Sequence, residues 1–536
     1  MSAATSPARE PPLSDTAPKI SLVPKWLGNP AAATLGLIAI AAVLRIVFGL
    51  SLGLGIDEAY AVATGRVFDW SYLDHPPLSW WMASASARLF GSEAALAVRL
   101  PFILLFAGTS WLMYRLTASL YGGAAGFFAV LLINLVPALG VTDGTFVLPD
   151  GPLVAAMLGG AICLRHALLG PAERAGLWWV AAGFCAGLAL LSKYHGIFLL
   201  AGAGLFLVTS APHRGWFLSP WPYLGAAIAA VMFAPVIVWN MDHQWASFTF
   251  QGGRAGISRF RPWLPLIVLG GQALFLTPWI WLPLTIRAWT ALRKGPSEAG
   301  SWLLLCLAAG PILTFTLLPV VTGNQGLFHW AMPGYLLLFP LLGEAAARRL
   351  QDGDARTRRW LRNSAIATPA LLAVVIAMAL LPWPGLPYGK RDGSDDPLIE
   401  TLEWANLPKV LAENGIANRP DVFVATERWH EAGRADYALR GALPVTCLCD
   451  DARGYAFKAP LARFIGGTAL LIVPESRARD VEARFGRYFS SMERWEDVNV
   501  DHAGKRAYRL AIFIGWDFHP SRAFASLDGA LVSVQP

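Results

Sequence analysis

Charge is scarce in this sequence. Asp, Glu, Lys and Arg supply 15% of its 536 residues, where soluble globular chains carry about a quarter. Cysteine is scarcer still, and five residues in that length cannot make the disulfide framework that staples small secreted folds. Cys163, Cys185 and Cys306 fall in apolar runs as packing residues, and the pair in "TCLCD", Cys447 and Cys449, is too isolated for a zinc site. The common signatures of soluble chemistry are missing too. There is no Gly-rich phosphate loop, no HExxH, no GxSxG and no spaced Cys/His set, so ATP-driven chemistry and the common hydrolase mechanisms find no support. No repeat of solenoid period appears, and low complexity is confined to the N-terminal tail.

What the sequence has in excess is apolar surface. Hydrophobic residues make up 55% of it, with 23 Trp, a composition that suits a bilayer and its aromatic interfaces. The formal net charge of +7 would suit nucleic acid, but Lys and Arg lie between apolar runs rather than on one amphipathic face, so membrane topology accounts for them better. Residues 1–28 form a polar, Pro-rich tail. The run at about 31–54 is longer than a signal-peptide core and lacks a clear cleavage site, so it reads as an uncleaved first span. Further segments of spanning length lie near 98–119, 123–140, 150–168, 176–191, 196–210, 221–239, 264–286, 301–319, 328–347 and 363–383, for about eleven transmembrane helices. Residues 78–90 are too short to span and read as interfacial.

The basic residues orient these spans. Arg9, Lys19, Lys25, Arg115, Arg165, Arg174, Arg214, Arg287, Arg293, Lys294 and the Arg-rich stretch 348–362 all fall on one side, the bias expected of cytoplasmic loops. The N-terminus is then cytoplasmic, and the loops 55–97, 141–149, 192–195, 240–263 and 320–327 face outward. An odd number of spans places the tail outside as well. There, "DVFVATERWHEAGRADYALRG" reads as a strand followed by a helix, and "ALLIVPES" and "AYRLAIFIGWDF" read as strands. The expected organisation is a tail (1–28), a transmembrane domain (29–384) with outward loops at 55–97 and 240–263, and an outward α/β domain (385–536).

The polar clusters gather on the outward side. "GLGIDEAYAVATGRVFDWSYLDHPPLSWW" places Asp57, Glu58, Tyr60, Asp74 and His75 in one loop, stiffened by Pro76 and Pro77, whose rings fix φ. "VTDGTFVLPDGPL" supplies Asp143 and Asp150, and "SKYHG" supplies Lys193 and His195. "WNMDHQWASFTFQGGR" supplies Asn240, Asp242, His243, Gln251 and Arg254, and "NQGLFHWAMPGY" supplies Asn324, Gln325 and His329. Each has a bland reading beside the chemical one. Acids in outer loops are ordinarily just solvated, Lys193 at a span end can snorkel, and His243 and His329 beside Trp can belong to an aromatic belt. Arg45, inside the first span, is costly in lipid and belongs on the bundle interior. The combination favours chemistry. A carboxylate can act as general base toward a hydroxyl, and a Lys or Arg at that depth can hold a lipid-linked phosphate. Sugar transfer from a polyprenyl phosphate needs both.

The motifs "DEAYAVATGRVFDWSYLDHPPL…RLFG…RLP", "LPDGPL", "LLSKYHG" and "HWAMPGY" resemble, in this order, those of bacterial family 39-like glycosyltransferases of the GT-C class. These are related to protein O-mannosyltransferases and lipid A aminoarabinose transferases, and "WNMDHQWASFTFQGGR" is most similar to the lipid A galacturonosyltransferase-like branch. The resemblance spans roughly 30–345 and implies a GT-C fold in the bacterial inner membrane, the tail domain being periplasmic. It implies inverting transfer of a hexosyl or pentosyl unit from a polyprenyl-phosphate donor to a lipid A, core-glycan or other lipid acceptor. In its terms Asp57 is the base, Asp150 orients acceptor or metal, and Lys193 and Arg254 neutralise the donor phosphate. Glu58, Tyr60, Asp74, His75, Asn240, His243 and His329 are supporting candidates. Aminoarabinose transferases have a Lys before the Pro pair where this chain has His75. Imidazole with carboxylates suits zinc, so a divalent metal on Asp57, His75 and Asp150 is an option; no cofactor is otherwise implied. The rival readings are a flippase for a lipid-linked sugar, which should place polar groups near the membrane midplane within internal repeats, a protein O-glycosyltransferase, and a scaffold whose tail binds a partner.

Overall fold

A computed structural model describes residues 21–254, 256, 260–323, 328–381, 402–417 and 419–519. Seven of its helices are long and apolar enough to cross a membrane, or nine if each of two sharply bent helix pairs is one span. The chain starts with α1 (Pro30–Ser51), followed by α2 (Ile56–Gly65) and α3 (Leu78–Phe90) in the first loop. The bundle continues through α4 (Ala95–Tyr121), α5 (Gly123–Asn134), α6 (Asp150–Leu169), α7 (Ala175–Ser192), α8 (Ile197–Thr209) and α9 (Pro220–Asp242). Then come α10 (Ala246–Arg254), α11 (Leu264–Phe275), α12 (Pro278–Lys294), α13 (Ala299–Leu317) and α14 (Pro319–Thr322). Short α15 (Met332–Leu336), α16 (Phe339–Gln351) and α17 (Ala355–Leu380) complete it. In the bundle α6 packs on α7, α7 on α9, and α16 on α5.

Two of the expected spans are broken by proline. The segment 264–286 bends by 115° between α11 and α12. Thr277, the residue before Pro278 at this break, has φ 64°, outside the helical region. The segment 328–347 divides into a 3-10 turn (Phe328–Ala331), α15 and α16, and Pro333 and Pro340 begin the latter two. Apolar composition marked both segments but did not show their interruptions. Arg45 does face inward. It is buried, donating to Gly140 O at 2.5 Å and Asn134 Oδ1 at 2.8 Å, and so secures a π-helical turn at Ala138–Asp143.

The C-terminal residues form a five-stranded sheet in the order β2-β1-β3-β5-β4. Its strands are β1 (Val422–Thr426), β2 (Val445–Cys447), β3 (Thr468–Pro474), β4 (Ser491–His502) and β5 (Lys505–Trp516). After α18 (Leu407–Glu413), the crossover α19 (Trp429–Leu439) makes β1 and β2 parallel, and the β4–β5 hairpin is antiparallel. Cys447 and Cys449 are joined by a disulfide. This domain does not stand apart from the bundle. Leu54, Tyr60, Trp80 and Phe102 share one hydrophobic core with Val424, Ala432, Leu470 and Ile472, so α19 lies directly on α2. Arg66 pairs with Asp436 and Glu93 at 2.7 Å each, and Lys458 donates to Ala63 O at 2.8 Å.

The closest backbone approach is at Gly433, where a Cβ would lie 2.9 Å from Tyr60 Cα. Gly433→Val should therefore weaken the seating of the domain by about 1–3 kcal/mol, the usual cost of overpacking. The expected result is faster tryptic release of the C-terminal domain in detergent and a lower melting midpoint. Wild-type behaviour in both would show that the seating does not depend on this approach.

Candidate active site

Two adjacent acids open α2, and the structure gives them opposite environments. Glu58 turns inward and is 3% exposed. Its Oε1 accepts from Arg99 Nε at 2.8 Å and Val147 N at 3.0 Å, and its Oε2 from Arg99 Nη2 at 2.5 Å and Gly55 N at 3.0 Å. The rest of the Arg99 guanidinium donates to the carbonyls of Gly49, Leu52 and Gly53 at 3.1, 2.8 and 2.7 Å. Both buried ions are thus hydrogen-bonded as well as paired, the condition under which burial is tolerated. Glu58 consequently serves the fold and does not line the cavity beside it. Arg99, the Arg of "RLP", is the partner that sequence reasoning did not identify. Asp57, one residue earlier, is exposed on the first turn of α2, where the helix N-terminus favours an ionised carboxylate.

Asp57 lines a cavity of about 550 Å³ with Tyr60, Asp74, His75, Asp143, Asp150, Lys193, His329, Trp330 and Arg453. Segments far apart in sequence therefore meet there. Asp150 begins α6 and Lys193 caps the end of α7. The Lys193 ammonium is buried and donates to both Asp150 oxygens at 2.9 Å, lying 5.8 Å from the Trp330 ring centre. Pro77 stands at the N-cap of α3. The loop before it is tied down by Gln251, which donates to Asp74 O at 2.5 Å, and by Trp239, which donates to Asp69 Oδ2 at 2.8 Å. Burial, and then the Asp74 carboxylate that its hydroxyl meets, hold the Tyr60 phenol well above its ordinary pKa, so Tyr60 is a neutral donor.

Asn240, His243 and His195 do not line this cavity. Asn240 is buried and shapes the α9–α10 turn, accepting from Ser247 N at 3.2 Å and Phe248 N at 3.3 Å. His243 stacks on Trp239 at 4.0 Å and meets Phe457 of the C-terminal domain edge-on at 5.3 Å. His195 is buried against Phe315. Arg254 closes α10, its side chain lying outside the described residues together with Asn324 and Gln325. Asp57, His75 and Asp150 share the cavity, yet among the described residues no group of three or more His, Cys, Asp or Glu is placed to hold a metal ion. Lys193 engages both Asp150 oxygens. The described residues do not fit the zinc option.

Of the remaining cavity residues, Asp143 belongs to the outward polar clusters of the sequence, whereas Trp330 and Arg453 carry no such signal. Asp143 is buried, and desolvation followed by the nearby Asp150 carboxylate pushes its carboxyl well above the ordinary value, with Lys193 opposing. A raised folded-state pKa adds stability below the ordinary carboxylate pKa, and that stability is lost as pH rises through the folded value. Asp143→Asn removes this dependence. The melting midpoint of the wild type should fall relative to that of Asp143→Asn as pH is raised from acid to alkaline. A pH-independent difference would contradict a protonated Asp143.

Residues 74–239 match the family described as dolichyl-phosphate-mannose-protein mannosyltransferase. No curated protein matches the sequence. Among solved structures, the chain is similar to ArnT from Cupriavidus metallidurans in the apo state, at 15% identity and TM-score 0.61, covering 90% of this chain and 98% of that one. With ArnT bound to undecaprenyl phosphate the values are 16% and 0.57, covering 90% and 97%. It is similar to the archaeal oligosaccharyltransferase AglB from Archaeoglobus fulgidus, in complex with an inhibitory peptide and a dolichol-phosphate, at 12% and 0.50, covering 79% and 65%. The architecture of this chain is the GT-C fold, a helical membrane bundle carrying a C-terminal sheet domain.

Proposed function

We propose that this GT-C-fold membrane glycosyltransferase moves a sugar from a polyprenyl-phosphate donor to an envelope acceptor, a lipid A, core-glycan or other lipid hydroxyl or phosphate, with inversion. The observation that carries the reading is the single cavity lined by both the exposed Asp57 and the Asp150–Lys193 pair. In this mechanism Asp57 accepts the acceptor's proton as the acceptor oxygen attacks the anomeric carbon from the face opposite the phosphate. The bond from sugar to phosphate oxygen breaks with its electron pair on the phosphate. Lys193, held by Asp150, and Arg254 offset that charge through fixed electrostatics. Tyr60, Asp74, His75 and His329 shape the wall around the reacting groups. A lipid-linked donor carries its activation in the sugar–phosphate bond, which accords with a sequence that has no nucleotide-binding motif.

The distribution of Lys and Arg supports an inner-membrane protein with its N-terminus in the cytoplasm and the cavity and C-terminal domain in the periplasm. A protein hydroxyl is the second acceptor reading, favoured by the family matched at 74–239. A flippase is disfavoured because the outward polar candidates Asp57, Asp74, His75, Asp150, Lys193 and His329 line one cavity at the loop-bearing end of the bundle.

Asp57→Asn should lower transfer from a polyprenyl-phosphate sugar by about 10²–10⁴-fold, the typical contribution of a positioned general base, with normal expression and melting. Normal turnover would remove Asp57 from its role. Lys193→Ala should raise the KM for the donor and leave that for the acceptor unchanged, whereas equal effects on both would count against phosphate binding. Mass spectrometry of envelope lipids with and without the protein identifies the acceptor.

A further inference from the structure

The C-terminal domain sends one cation into the cavity that the mechanism above does not use. We propose that Arg453 binds the phosphate group of the lipid-linked donor, so that the donor site is complete only when the C-terminal domain is seated on the bundle. The proposal rests on the glycosyl-transfer reading and extends it to a residue outside the transmembrane domain.

Arg453 lines the same cavity as Asp57, Tyr60 and Trp330. Its backbone has φ 47°, a left-handed conformation that is strained for a residue bearing a side chain. Such strain persists where surrounding contacts enforce it, and it collects at binding sites. The enforcing contact is next to it. Gly454 N donates to the Tyr60 hydroxyl at 2.9 Å, and a Cβ on Gly454 would lie 2.6 Å from that oxygen. The loop is thereby fastened to α2, the helix that presents Asp57.

The side chain is positioned as firmly as its backbone. The guanidinium carbon sits 3.5 Å above the Trp429 ring of α19 and 5.8 Å from the centre of Phe250 on α10. Stacking holds the plane of an Arg and leaves the N–H groups at its rim to donate. Its ion pair with Asp451 is long, 3.5 Å, and that carboxylate is 56% exposed, so solvent screens the attraction. Lys193, by contrast, faces a well-buried carboxylate at 2.9 Å, and Arg99 one at 2.5 Å. A planar, pre-oriented fork with a weakly held counter-ion is suited to bidentate recognition of a phosphate.

The test measures binding by the full-length protein in detergent, using a polyprenyl phosphate, the matching uncharged polyprenol and inorganic phosphate as probes. The wild type should bind the polyprenyl phosphate more tightly than the polyprenol, and Arg453→Ala should weaken only the former, by about tenfold or more. Arg453→Lys should fall between them, keeping charge without the fork. Competition by inorganic phosphate would assign recognition to the phosphate alone, and its failure to compete would assign it to phosphate together with chain. Arg453→Gln keeps much of the stacking bulk and decides the matter if the Ala variant unfolds. Equal polyprenyl-phosphate affinity in a folded Arg453 variant and the wild type overturns the role of Arg453 while leaving the donor reading intact. Equal affinity of the wild type for polyprenyl phosphate and polyprenol overturns both.

Discussion

The buried pair of Glu58 and Arg99 is the interaction on which the site depends. Its hydrogen bonds reach the end of α1, the connection at 52–55, the first turn of α2, the beginning of the first loop's exit helix α4, and the backbone at Val147. Removing one partner of such a pair leaves an uncompensated charge, at a cost of about 3–5 kcal/mol. The consequence is positional. With Glu58 fixed inward, helical geometry carries Asp57 onto another face, toward the cavity. The same carboxylate that holds Val147 also sets the approach to Asp150, three residues on.

A second constraint comes from the C-terminal domain, which forms part of the cavity rather than an appendage. Tyr60 lies at the junction. It packs against Gly433, accepts from Gly454 N, meets the Asp74 carboxylate and lines the cavity near Asp57. His243 and Trp239 at the end of α9 touch Phe457 of that domain. Loops that carry polar groups are ordinarily the mobile part of a fold. Here they are clamped between the bundle and a sheet, which favours the fixed dipoles that charge-separating chemistry requires.

Much of this was legible in the sequence because it is local. Long apolar runs, the acids beside them, the Pro pair before α3 and the strand-like segments after 420 are each set by nearby residues. The division of labour between Asp57 and Glu58 was not, because the two carboxylates are chemically equivalent until Arg99, 41 residues away from Glu58, selects one of them. Asn240 and His243 resembled site residues because polar groups in aromatic loops do so, yet their hydrogen bonds and stacking serve the α9–α10 turn. Arg453 gave only a faint signal, an Arg-Gly step in a polar turn. Its significance comes from docking across nearly 400 residues, which periodicity cannot report.

The most direct measurement is an experimental structure of the full-length protein in lipid nanodiscs with a bound polyprenyl phosphate. The account predicts phosphate density inside the cavity, between the Asp150–Lys193 pair and Arg453, on the side that Asp57 faces. Phosphate density elsewhere, for example among Arg165, Arg287 and Arg348 in the separate basic cavity, would contradict it.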